Sequence, residues 1–209
     1  MRRYRTIAGA AACLVVGTLL VLFGVDVARW GAALHDGDVA YRAAPEGNLW
    51  TAHTLLPAKF SRSALGIGDD IAYRQALRAF RLAQVSSPII SDPSVIVQRN
   101  DATVRLADIV LHSSDPARRS AAANLLGAID YSDAVADYTN RTRLIVDASD
   151  RFTQAIAFDP ANDDAKYNLE LTLALGRAQG LSESGGGTNP APGGKGSKGA
   201  GAGAPGTGY

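Results

Sequence analysis

Nineteen consecutive residues, Ile7 to Val25 (IAGAAACLVVGTLLVLFGV), carry no charge. At 1.5 Å rise per residue a helix of this length covers about 28 Å, close to the roughly 30 Å hydrocarbon core of a bilayer. Arg2, Arg3 and Arg5 precede the run and Asp26 follows it. The bias of basic residues toward the cytoplasmic side predicts a single-pass cell-membrane protein: residues 1–6 cytoplasmic, an anchor over 7–25, and the bulk of the chain extracytoplasmic. Two other readings compete. A buried core helix fits poorly because the run has no polar face. A cleaved signal peptide would use the small residues Gly31-Ala32-Ala33, but the apolar run exceeds the usual length of such a segment. An uncleaved anchor is expected.

The other end is as legible. Gly180 to Tyr209 holds 12 glycines and three prolines, with Leu181 as its one large aliphatic residue. A segment of this composition cannot bury enough apolar surface to offset the entropy of ordering it, so a disordered tail is expected over 180–209. Residues 26–68 carry Gly37, Pro45, Gly47, Pro57, Gly66 and Gly68 between scattered large residues (Trp50, Leu55, Leu56, Phe60). No period holds across them, and an irregular connector is expected that lays its aromatics on the domain behind it.

From Asp69 the apolar spacing becomes helical. Asp69 or Asp70 suits a first turn, and Tyr73, Ala76, Leu77, Phe80 and Ala83 share a face until Pro88 stops the helix. Asp92-Pro93 and Asp115-Pro116 each combine a capping residue with proline at the first helical position. They open a second helix with Val104, Ala107, Val110 and Leu111 on one stripe, and a third through Leu125, Leu126 and Ile129. A long fourth helix is expected from Ser132 to Phe158, its face formed by Val135, Tyr138, Ile145, Ala148, Phe152, Ala155 and Ile156. The last element alternates Leu169, Leu171, Leu173 and Leu175 with other residues. Capping residues at Asn162 to Asp164, its length and its good helix formers still predict helix. The expectation is an all-α domain over 69–179, an antiparallel bundle of about five helices.

A spacing recurs within it. Ala76, Phe80, Ala83 and Pro88 are separated by four, three and five positions, and so are Ala148, Phe152, Ala155 and Pro160. This resembles the second helix and closing proline of a tetratricopeptide repeat, and Ala165-Lys-Tyr-Asn-Leu169 resembles the opening of the next repeat. The resemblance implies small residues at helix contacts, an aromatic filling the gap, and a groove for a partner helix or peptide. The sequence departs from the pattern in having Glu170 where glycine is usual and no tryptophan in the opening helix. Anchor, helical module, Ala165-Lys-Tyr-Asn-Leu-Glu-Leu171 and Gly/Pro tail together resemble small membrane proteins of bacterial clusters that pair a MoxR-type AAA+ ATPase with von Willebrand factor A proteins. That resemblance implies an accessory or scaffold role in envelope complexes.

No catalytic constellation emerges. His35, His53 and His112 lack metal-ligand spacing, and Cys13 lies inside the apolar run and cannot form an internal disulfide alone. Gly66-Ile-Gly68 has no lysine after it, only Asp69-Asp70, which would repel phosphate. Asp163 and Asp164 read as helix-capping residues, and Asn140-Arg-Thr142, a glycosylation-type tripeptide, falls inside the expected fourth helix. Residues 26–179 hold 16 Lys or Arg against 19 Asp or Glu, which offers nucleic acid no basic surface. The expectation is a non-enzymatic interaction module without cofactor or small-molecule substrate, meeting envelope or membrane proteins and membrane lipid. Arg74, Arg78 and Arg81 form one stripe available to lipid headgroups or an acidic partner, or else a solvated face balanced by Asp69 and Asp70. The alternative is a self-associating structural membrane protein, since Gly9, Cys13 and Gly17 line one face of the anchor.

Overall fold

The computed structural model describes residues 2–83 and 93–181. Among them are seven helices and no strand: α1 (Arg2–Ala43), α2 (Ala58–Leu65), α3 (Gly68–Leu82), α4 (Pro93–His112), α5 (Pro116–Ala136), α6 (Arg141–Phe158) and α7 (Asp163–Ala178). Pro88 and the Gly-rich segment beyond Leu181 lie outside the described residues. Among the described residues one helix, α1, is long and apolar enough to cross a membrane. Its apolar half is bare, with Leu14 72% and Leu20 65% exposed.

The first correction concerns α1. It does not stop at Asp26 but continues to Ala43, so residues 26–43 are helical, as are 58–65, and only the stretches between are irregular. Good helix formers through VARWGAALHDGDVAYRA outweigh Gly31 and Gly37. From Ala44 the chain turns back along α1. Trp50 stacks at the level of Gly37 and Asp38, the His53 carbonyl accepts from Arg29 at 2.9 Å, and Leu55 reaches Asp26. Trp50 therefore packs on α1, beside Tyr73 and Leu77 of the module, while Phe60 is 57% exposed. Gly37 permits the close approach, because a Cβ there would stand 2.5 Å from Trp50 Cδ1.

From α3 onward each helix packs on its sequence neighbour, and α7 also touches α5. The core between them is built mostly from small residues: Ala76, Ala79, Ala83, Ala102, Ala122, Ala123, Ala155 and Ala165, with Leu106, Ile109, Leu126 and Ile129 among them. Small contact residues let helix axes come close. Gly127 goes further, since a Cβ there would meet Phe152 Cε1 at 2.6 Å. The Phe152 ring, 1% exposed, lies over bare α5 backbone. Buried Ser120 ties three elements, donating to the Ala155 carbonyl at 2.7 Å and accepting from Asn162 at 2.8 Å.

Helix ends follow local chemistry. Asp115 accepts from the Ala117 and Arg118 amides at the start of α5, with Pro116 at its first position. Asp69 and Asp70 sit within the first turn of α3, without a capping bond from either. The expected single helix from Ser132 to Phe158 is two helices. The Asp137 carboxylate accepts from the Thr139 and Asn140 amides and the Asn140 side chain, and Arg141 donates to the Ala134 and Val135 carbonyls that end α5. Those bonds to Asn140 hold the Asp137 carboxyl below its usual range. Val135 and Tyr138 consequently lie at an exposed corner, 42% and 79% accessible, and Asn140 stands in the exposed turn rather than within a helix.

Candidate functional site

The junction between α1 and the helical module is the most elaborated polar region of the described chain. Asp26, which closes the apolar run, is fully buried. Its carboxylate accepts from the Leu55 amide at 2.7 Å, the Leu56 amide at 3.0 Å and the Ser61 hydroxyl at 2.8 Å. A buried carboxylate is tolerated only when its oxygens are bonded in this way. These three contacts pin the returning connector and the start of α2 to the end of the apolar run.

The far end of α1 is held by the arginine stripe of α3. Arg74 grips Asp38 with two nitrogens, at 2.9 and 3.1 Å, and also pairs with Asp70. Arg78 donates to the carbonyls of Pro45 and, at 3.1 Å, Glu46. Arg81 donates to the carbonyls of Tyr41 at 2.6 Å and Arg42 at 3.3 Å, its guanidinium 5.1 Å from the centre of the Tyr41 ring. The last carbonyls of a helix lack partners within it and carry its partial negative charge. Arginines at i, i+4 and i+7 of a crossing helix answer both needs. Arg74, Arg78 and Arg81 thus bind the end of the protein's own long helix and the turn after it. Trp50 completes the joint, donating to Asp38 at 2.8 Å with its ring centre 5.6 Å from that of Tyr41.

The residues of the recurrent spacing serve packing. Ala76, Ala83, Ala148, Phe152 and Ala155 are buried, and Phe80 packs on the core at its edge. Leu169 is half-buried, and Pro160 is exposed in the turn after α6.

Helix α4 departs in part from its expected face: Val110 is buried and Ala107 packs on the core, as expected. The buried side is Val95, Arg99, Ala102, Leu106, Ile109 and Val110, whereas Val104 and Leu111 point outward. Arg99 is 5% exposed and is held by Asp133 and, at 3.2 Å, Ser132 of α5, so the polar-looking stretch lies on the core side. Val97, Val104 and Leu111, seven residues apart, are left as an open seam at 64%, 68% and 71% exposure. Beside it a cleft of about 570 Å³ runs between α3 and α4, lined by Ala72, Gln75, Val104, Ala107, Asp108 and Leu111.

Among the described residues no group of three or more His, Cys, Asp or Glu is arranged to hold a metal ion. His112 faces Asp108 at 2.9 Å. Asp163 pairs with Lys166 at 2.8 Å, which holds its carboxyl below the usual range, and Asn162, rather than either aspartate, accepts the capping bond from the Ala165 amide. Gly66 occupies the left-handed region (φ 66°) and closes α2. The acidic cleft of Asp130, Asp147 and Asp150 between α5 and α6 has a different consequence. Burial, reinforced by Asp147 and Asp133 against Arg151, pushes the Asp130 carboxyl up from 3.8 to about 6. A raised folded-state value means that the ionised form burdens the fold, so this group's contribution is most favourable below pH 4 and is lost as pH rises through 6. Asp130→Asn should therefore stabilise the protein by about 1–2 kcal/mol at pH 7.5, allowing for partial exposure of the side chain. The gain should vanish near pH 4. Urea unfolding at the two pH values reads the difference, and a gain independent of pH would refute it.

No protein-family model matches the sequence, and comparison with curated proteins and with solved structures gives no significant match.

Proposed function

We propose that this is a membrane-anchored, extracytoplasmic protein–protein interaction module, an accessory or scaffold for envelope complexes. The observation that carries the reading is that one continuous helix supplies both the 19-residue apolar run and the post on which the module is mounted. The connector is fastened to it at Asp26, and the module to its far end and the turn beyond, at Asp38 to Glu46. A cleavage after Gly31-Ala32-Ala33 would sever the lower fastening from the upper one, which favours an anchor that stays attached. The open seam Val97, Val104, Leu111 suits an apolar helix from a partner, since a seven-residue repeat is the spacing at which two helices interlock. Following the tetratricopeptide-like spacing and the overall arrangement, the partner class is a membrane or envelope protein such as a von Willebrand factor A protein served by a MoxR-type ATPase.

The experiment is purification of the full-length protein from membranes in mild detergent, with mass spectrometry of retained proteins. A stoichiometric partner, lost when Val97, Val104 and Leu111 are together replaced by aspartate, is the expected result. All three side chains are more than 60% exposed, so the exchange leaves the core intact. A second reading is self-association through the anchor. Gly9 and Gly17 are exposed on α1, with open space where a Cβ would project. Recovery of this chain alone as a discrete oligomer, dispersed by Gly9→Leu and Gly17→Leu, would favour it and refute the first reading.

A further inference from the structure

The carboxylate that ends the apolar run organises a second membrane contact. Given that the run crosses the bilayer, as proposed above, Asp26 stands at the edge of the hydrocarbon core, because 19 residues of helix span about its full thickness. Whatever is bonded to Asp26 must lie at that height. Leu55 is bonded through its amide, and Phe60 immediately precedes Ser61, which is bonded through its hydroxyl. Leu55 and Phe60 are 49% and 57% exposed. Between Val39 and Ile96 they are the only large apolar side chains so exposed among the described residues.

Their neighbours fit the same place. His53 to Ile67 contains no acidic residue, while Lys59 and Arg62 lie on α2. Arg29, one turn beyond Asp26, is exposed and holds the His53 carbonyl. Long basic side chains reach headgroup phosphates while their stems lie along apolar surface, and apolar side chains of a short amphipathic element sink toward the acyl chains. α2 divides its residues in this manner, with Ser61 buried against α1 and Ala58, Lys59 and Phe60 exposed.

We propose that the segment 53–62 is an interfacial membrane contact, with Leu55 and Phe60 inserted at the boundary between headgroups and acyl chains and Arg29, Lys59 and Arg62 meeting anionic lipid phosphates. Such a contact would make the module stand on the bilayer at two places, fixing the tilt of α1 and the direction in which α4 faces.

The test is site-directed spin labelling of the full chain in nanodiscs of phosphatidylcholine and anionic phosphatidylglycerol. Single cysteines would be placed at Val16, Phe60 and Val146 in a Cys13→Ala background. Accessibility to oxygen, which concentrates in the acyl region, is compared with accessibility to a water-soluble nickel chelate. The expected result is an oxygen-to-nickel ratio several-fold higher at position 60 than at 146, highest at 16, and falling at position 60 when Lys59 and Arg62 are changed to glutamate. Equal ratios at 60 and 146, with 16 still immersed, would overturn this inference and leave the anchor standing. An aqueous label at 16 would overturn both.

Discussion

Replacing Phe152 by alanine is expected to cost about 3–5 kcal/mol of stability, the largest core effect in the module. The ring is 1% exposed and lies against α5 at Gly127, where Cε1, Cδ1 and Cζ all come within 2.8 Å of a notional Cβ. Removing it opens a cavity between the two helices with the most extensive mutual contact. At Gly127 the wall of that cavity is bare backbone, so collapse from that side is limited. Gly127→Ala supplies the complementary test. In the wild-type background its overpacking, about 1–3 kcal/mol, outweighs the roughly 1 kcal/mol that alanine gains over glycine in a helix. In the Phe152→Ala background the clash is gone, the added methyl fills part of the void, and the same exchange becomes stabilising. Urea unfolding of the four proteins in detergent, followed by circular dichroism, measures the cycle. A Gly127→Ala effect of the same sign in both backgrounds would show that the ring and the glycine do not share a contact.

How much of this could be read from the chain depends on where each group finds its partner. Helix starts at Pro93 and Pro116 were visible because their signals are local, as was the helical character of 163–178 despite its alternating leucines. The break at Asp137 was equally local, since an aspartate two and three residues before the amides it accepts from is a turn signal. The continuous apolar pattern on either side concealed it. The face of α4 was misassigned at Val104 and Leu111 for a different reason. Val97, Val104 and Leu111 form as good a stripe as Val95, Ala102, Leu106 and Ile109, and the second stripe contains Arg99. The presence of Asp133 and Ser132 on α5 helps make that arginine acceptable inside. The junction lay furthest from view. The stripe Arg74, Arg78, Arg81 was evident, but Arg78 and Arg81 reach backbone carbonyls more than 30 residues earlier, which leave no mark in a sequence, and Arg74 reaches Asp38, 36 residues away. Asp26 read as the charge that ends an apolar run, with nothing to show that it accepts three bonds from residues 55–61.

Asp26→Ala is the second change expected to have a large effect, and it separates fastening from folding. Alanine leaves two backbone N–H groups and a hydroxyl facing a buried space with no acceptor, a worse condition than losing a neutral surface bond. At that end Arg29 on the His53 carbonyl also holds the connector. The amides of Leu55 and Leu56 should exchange with solvent roughly 10- to 100-fold faster. Those of α5 and α6, whose packing does not involve Asp26, should keep their protection. Asp26→Asn retains one acceptor oxygen and turns an NH2 group toward donors, so its effect should fall between wild type and alanine. Hydrogen exchange of the full chain in nanodiscs reads both, and unchanged exchange at Leu55 and Leu56 would show that the carboxylate does not hold the connector. The module should not detach in either variant, because Arg74 and Arg81 still grip Asp38, Tyr41 and Arg42 of α1 and Arg78 the turn after it. Freed at the membrane end and held at the far one, it can swing about the arginine clamp. Loss of partner capture in Asp26→Ala, with the α4 seam untouched and the core still protected, would show that recognition requires the seam at a set height and angle above the bilayer.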